Sequence, residues 1–121
     1  VVRGEDIVLY SDGAAMRTYT YVADAIAGMF YALLVGRDRA YNVADANGMV
    51  SIRDLALRFT NARPDKGLKR VFANPDHAND SAYNTSRLLG LDSSRLEALG
   101  WAAAVSLEDG IDRMLRSYEG L

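Results

Sequence analysis

The chain has 121 residues, 50% hydrophobic and 25% charged, a size and balance that suit one soluble globular domain with one core. Its 14 basic and 16 acidic residues give a formal charge of −2, which disfavours a generic binder of nucleic acid or of an anionic membrane. It has no cysteine, which excludes disulfides and thiolate zinc sites and suits a cytoplasmic location. The most apolar stretch, Val22–Val35, contains Asp24 and falls short of the roughly 18 residues of a membrane span. No signal peptide is visible. The chain opens on Val1 rather than Met and enters a strand-like segment almost at once, which reads as an excerpt from a longer protein.

Ile7–Tyr10 is β-branched and aromatic and reads as a first strand, followed by a Ser11-Asp12-Gly13 turn. A second strand is expected over Met16–Tyr21. It hands over to the dominant helix, which ends at Val35 with Gly36 as its C-terminal cap. Apolar residues at Val22, Ala25, Ile26, Met29, Phe30, Leu33 and Leu34 share one face of that helix, while Ala23, Ala27 and Ala32 keep the other faces small. This pattern predicts a helix buried on more than one side and the largest single contribution to the core. Arg39–Ala44 reads as a third strand, and Asp45–Gly48 as a loop.

Ser51, with Asp54 three residues on, caps a second helix whose inner face is Ile52, Leu55, Ala56 and Phe59, and which must stop before Pro64. Lys69–Phe72 is a fourth strand, and Ala73–Thr85 a long polar loop. Ser93 or Ser94 starts a short helix that Gly100 stops; Trp101 then reads as a core anchor beside Leu99 and Val105. Ser106 and Asp109 cap the last helix, with Ile111, Met114, Leu115 and Tyr118 as its inner stripe and Gly110 weakening it by about 1 kcal/mol relative to Ala.

The motifs in this order resemble the C-terminal, substrate-binding portion of the extended short-chain dehydrogenases/reductases, the NAD-dependent nucleotide-sugar epimerase/dehydratase family. The matching residues are Ser11-Asp12-Gly13, Arg17, Val22-Ala23-Asp24, Tyr41-Asn42-Val43 and Ser51-Ile52-Arg53-Asp54-Leu55-Ala56. Further along they are Arg87, Leu91-Asp92, Leu99-Gly100-Trp101 and Ser106 to Ile111. Ala102-Ala103-Ala104 departs from the Pro usual after Leu-Gly-Trp. The resemblance implies a mixed α/β fragment, a few short strands with about four helices, forming the C-terminal part of a Rossmann-type fold. On this reading residues 1–121 are a single substrate-binding domain fragment without its N-terminal Rossmann domain.

The resemblance also implies NAD(P) in the full-length enzyme, and the sequence shows what this chain lacks for it. No two of the ten glycines are three apart, so there is no Gly-x-x-Gly-x-x-Gly loop. None of the seven tyrosines has a Lys four residues on, so there is no Tyr-x-x-x-Lys pair to supply a general base. The chain therefore offers no catalytic, cofactor-binding or metal-ligating residue; His77, the only histidine, sits in a polar loop.

What the resemblance does place here is a nucleotide-sugar site. The family's counterpart of Arg17 contacts the substrate diphosphate, and a guanidinium can grip a diphosphate with two parallel hydrogen bonds. Arg87 corresponds to an Arg on the far side of the diphosphate, and Asn84 and Tyr83 lie beside it. The plainer reading of Arg17 is an arginine at a strand end, solvated or paired with Asp24, and that of Arg87 is a surface arginine. Asp24 reads as a helix-start carboxylate accepting backbone N–H bonds. Tyr41 and Asn42 read as packing and bonding within the fold, and Lys66, Lys69 and Arg70 as a solvated basic surface.

Two functions remain open on the sequence. One is the substrate-binding part of such an epimerase or dehydratase, inactive alone. The other is a non-catalytic, stand-alone binding or interaction module. In the family this portion packs against the Rossmann half. Cut free, it should expose apolar surface on one side of the Val22–Val35 helix or on the Arg39–Ala44 strand, and cover it by self-association.

Overall fold

The computed structural model describes residues 1–73 and 88–120, residues 88 and 89 by their backbone alone. Among these the order is β1 (Ile7–Leu9), β2 (Met16–Thr18), α1 (Val22–Val35), β3 (Met49–Ser51), α2 (Ile52–Asn61), β4 (Arg70–Phe72), β5 (Leu88–Leu89), α3 (Ser94–Glu97) and α4 (Leu107–Glu119). The fold is mixed α/β, as the resemblance implied. β1 and β4 pair in parallel, Val8 opposite Val71. In the second sheet β2 is central, antiparallel to β3 and parallel to β5.

Local chemistry explains most element ends. Ser51 Oγ accepts the Asp54 N–H at 3.1 Å and donates to the Asp54 carboxylate at 2.5 Å, closing the first turn of α2. The next free donors of that turn, Ile52 N and Arg53 N, donate to the Ala15 and Gly13 carbonyls at 3.1 and 2.9 Å. The turn before β2 thus caps the helix that follows β3. Gly13 has φ +62°, and a Cβ there would lie 2.8 Å from Arg53 Cβ, so only glycine fits. Ser106 Oγ accepts the Asp109 N–H at 3.2 Å and starts α4 as expected. At α3 it is Asp92, not Ser93, that accepts the Ser94 N–H, at 2.9 Å; this bond holds the Asp92 carboxyl below its ordinary range. Ser93 Oγ instead donates to the Ala44 carbonyl and to Glu97.

The expected strand over Arg39–Ala44 does not form. Several of its polar groups, and those at its flanks, are taken by side-chain bonds rather than by a ladder. The Tyr41 hydroxyl accepts the Arg37 and Asp38 N–H groups, Asn42 Nδ2 donates to the Asp92 carbonyl, and Asp45 N donates to Thr20 Oγ1. The chain then turns through a 3-10 segment over Ala46–Gly48, and Met49–Ser51 becomes the partner of β2. The first and second strands are also shorter than the sequence predicts, ending at Leu9 and Thr18.

The buried core is Ala44, Val50, Ala56, Leu96, Trp101, Ile111 and Leu115. α2 packs against α4, and α1 against α3. Trp101 is the buried anchor the sequence suggests; its indole lies against Gly28, and its Nε1–H donates to the Asp24 carbonyl at 3.0 Å. Asp24 is structural, yet its Oδ2 accepts the N–H of distant Val105, at 3.0 Å. On α4 only Ile111 and Leu115 of the expected stripe are buried; Met114 and Tyr118 are exposed.

The main correction concerns α1. Only Asp24 and Gly28 of its residues are buried, so the helix is not enclosed on several sides. Val22, Ile26, Met29, Phe30, Leu33 and Leu34 all point outward. The inner face is small because a Cβ on Gly28 would lie 2.7 Å from Val43 Cγ1 and 3.2 Å from Trp101 Nε1. The bulky side chains occupy the face that this chain leaves uncovered, one of the two surfaces the sequence singled out for exposure.

The basic trio is not simply solvated either. Arg70 Nη1 donates to the Arg53 carbonyl at 2.9 Å and its guanidinium lies 5.1 Å from the Phe72 ring centre, while Lys66 reaches Glu119 at 3.3 Å. Beside Lys66, Arg63 binds Glu119 through two nitrogens, both at 2.8 Å, and Asp112 at 3.0 Å. These bonds tie the exit of α2 to α4.

Candidate functional site

Arg17 sits at the middle of the central strand. Its backbone is flanked by Val50 on β3 and Leu89 on β5. The side chain is half-buried, and its Nη1 donates to the Met16 carbonyl at 2.7 Å. That bond orients the guanidinium along its own strand; Asp24 meanwhile is held by Val105. Two residues on, Tyr19 falls on the same side of the extended chain as Arg17. Burial raises the Tyr19 hydroxyl above its ordinary value, with the Arg17 charge pulling the other way, so the hydroxyl stays neutral and able to donate. Tyr19 was not among the site residues expected from the sequence, although its spacing of two from Arg17 is visible there.

On the opposite side of β2, Thr18 Oγ1 is buried without a hydrogen-bond partner. It faces Gly90, just past β5: a Cβ on Gly90 would come within 3.6 Å of that oxygen.

Of the other expected site residues, Arg87, Asn84, Tyr83 and also His77 lie outside the described residues. Leu88, which follows Arg87, pairs with Met16, which precedes Arg17. The chain thus enters the sheet at Leu88, with Leu89 opposite Arg17.

Next to Tyr19 a groove of about 450 Å³ runs between the β2–α1 connection, α2 and α4. Tyr19, Tyr21, Leu55, Phe59, Ile111 and Met114 line it, and the Arg113 guanidinium lies 5.6 Å from the Tyr21 ring centre at its edge. A Cβ on Gly110 would lie 3.1 Å from the Tyr21 ring, so this glycine, costly to helix propensity, lets α4 approach. The groove is mostly apolar and Arg17 is not part of it; it does not suit a diphosphate.

Among the described residues there is no glycine-rich strand-to-helix turn of the kind that cradles a dinucleotide pyrophosphate. β2 leads into α1 through Tyr19-Thr20-Tyr21 without a glycine, and the glycines with positive φ, at positions 4, 13, 67 and 100, are scattered. Among the described residues no group of three or more His, Cys, Asp or Glu side chains could hold a metal ion, and no helix is long and apolar enough to cross a membrane.

No protein-family model matches the chain, and no curated protein does. Solved structures do. The chain is similar to UDP-glucose 4-epimerase from Thermotoga maritima, solved with UDP-glucose, at 22% identity and a TM-score of 0.81 over 98% of this chain and 36% of that one. It is similar to dTDP-glucose 4,6-dehydratase from Bacillus anthracis, solved with NAD, at 18% identity and a TM-score of 0.77, over 98% and 36%. It is also similar to UDP-glucuronic acid 4-epimerase from Bacillus cereus, solved with UDP-glucuronic acid and NAD, at 20% identity and a TM-score of 0.77, over 98% and 37%. The fold is thus that of a fragment of the Rossmann-type epimerases and dehydratases, and the chain spans about a third of the length of these structures.

Proposed function

We propose that this chain is the substrate-binding part of an NAD-dependent nucleotide-sugar epimerase or dehydratase, and that it grips the nucleotide diphosphate. Arg17 supplies the main charged contact, with the neutral Tyr19 hydroxyl beside it; Arg87, Asn84 and Tyr83 add further contacts on this reading. The observation that carries this reading is the parallel β2–β5 register, which runs the chain after Arg87 alongside Arg17. Two guanidinium groups converging on one diphosphate would each make charge-assisted hydrogen bonds, worth roughly 1.5–3 kcal/mol apiece. On this reading NAD(P) and the general base belong to the remainder of a cytoplasmic enzyme, and the chain alone holds substrate without turning it over.

Titration of the chain with UDP, followed by NMR at the Arg17 amide and side-chain Nε–H, tests this. Saturable shifts at millimolar UDP or below, lost in Arg17→Ala, are expected. No shift at millimolar UDP, or the same affinity in Arg17→Ala, overturns the proposal that this part carries the diphosphate grip.

A further inference from the structure

We infer that the groove between the β2–α1 connection, α2 and α4 is a binding site for a small aromatic carboxylate, its ring among Tyr21, Phe59 and Tyr118 and its carboxylate on Arg113. The inference stands apart from the diphosphate reading, because Arg17 does not line the groove. The groove's volume of about 450 Å³ lies in the range of small-molecule sites, roughly 300–1,000 Å³, and suits a body of one or two rings. Its lining is also of the kind such sites use, apolar and aromatic side chains with a few hydroxyls, here from Tyr19, Ser106 and Ser117. One wall is built at a cost in helix propensity. Gly110 sits in α4 where the Tyr21 ring closes on the helix backbone, and a Cβ there would crowd that ring at 3.1 Å. Ile111 beneath is buried, whereas Met114 and Tyr118 stay 39% and 59% exposed, so the described residues do not fill the space.

Charge selects the occupant. On α4, Glu108 pairs with Arg58, Asp112 with Arg63 and Arg116, and Glu119 with Arg63 and Lys66. Arg113 pairs with no carboxylate among the described residues. Its guanidinium lies instead 5.6 Å from the Tyr21 ring centre, at the mouth of the groove. No Asp or Glu among the described residues lines the groove. A single cation over an apolar, ring-lined floor repels a cationic ligand and offers a neutral apolar one nothing beyond burial. It favours an anion with a flat apolar body. A carboxylate takes two parallel N–H bonds from one guanidinium, while its ring packs offset or edge-to-face against the aromatic side chains.

Titration of the chain with naphthaleneacetate, followed at the methionine methyl groups by NMR, tests this. Met114 lines the groove, whereas Met29 reports on the outer face of α1. A saturable Met114 shift below millimolar ligand, with Met29 unmoved, is expected. The uncharged naphthaleneacetamide should bind at least tenfold more weakly. Arg113→Gln should weaken binding of the acid at least tenfold and leave that of the amide unchanged. Trp101 emission should be the same in this variant, because Arg113 is exposed. No Met114 shift at millimolar acid, an equal shift at Met29, equal affinities for acid and amide, or an acid affinity unchanged in Arg113→Gln each overturns the inference.

Discussion

α1 and α4 are helices of 14 and 13 residues in one small protein, yet they are built in opposite senses. α4 buries Ile111 and Leu115 and turns Arg113, Arg116 and Ser117 outward. It starts on a side-chain cap and is tied to α2 by Arg58–Glu108 and by the Arg63 cluster. α1 buries an aspartate and a glycine, points its large apolar side chains outward and has no side-chain cap. α4 thus completes a core that this chain supplies, whereas α1 contributes only a small inner face to that core. Its apolar mass is arranged for a surface beyond these residues. Nearly the same length of helix thus fills the core in one case and leaves its large apolar side chains uncovered in the other.

The contrast can be broken most severely at the inner contact of α1. Trp101→Ala removes a buried indole and its hydrogen bond to the Asp24 carbonyl, and should cost about 3–5 kcal/mol in chemical denaturation. Asp24→Ala leaves the Val105 N–H without its carboxylate and should cost about 1–3 kcal/mol, with Asp24→Asn recovering much of the loss because it keeps an acceptor.

At the α4 end, the Arg63 and Lys66 contacts lower the Glu119 carboxyl from 4.5 to about 2. A carboxyl depressed in the fold stabilises above its unfolded value and loses that contribution as the pH falls through the folded one. The melting-temperature difference between the native chain and Glu119→Gln should therefore be full above pH 4.5 and vanish near pH 2. A difference independent of pH would count against the ion pair. The smallest effect is expected on the outer face of α1: Leu33→Ser, measured at high dilution, should change folding stability by no more than about 0.5 kcal/mol.

Sequence made the local features legible. Ser51 with Asp54 and Ser106 with Asp109 are short-range signals, and both cap as read. Trp101 as a core anchor was equally readable from its size and setting. The face that α1 buries was not. Apolar spacing identifies a stripe, but which side meets the core was decided by the Trp101 indole packing where only Gly28 fits. Arg39–Ala44 misled because its alternating tyrosine and valine suit a strand, while the nearby hydroxyl, amide and hydroxymethyl groups of Tyr41, Asn42 and Ser93 hold the segment in another way. Arg17 entered the candidate site only through the resemblance, since no local pattern singles it out. The parallel approach of β5 was not legible, because pairing over 70 residues apart leaves no local trace.

One measurement addresses the contrast most directly. The chain has four methionines, at positions 16, 29, 49 and 114, which puts Met29 on the outer face of α1 and Met114 on α4. Methyl NMR spectra across a dilution series should show the Met29 signal moving or broadening with rising chain concentration while Met114 stays fixed. A Met29 signal independent of concentration, or equal changes at both residues, would contradict the view that α1 presents an uncovered contact surface where α4 serves the core of this chain.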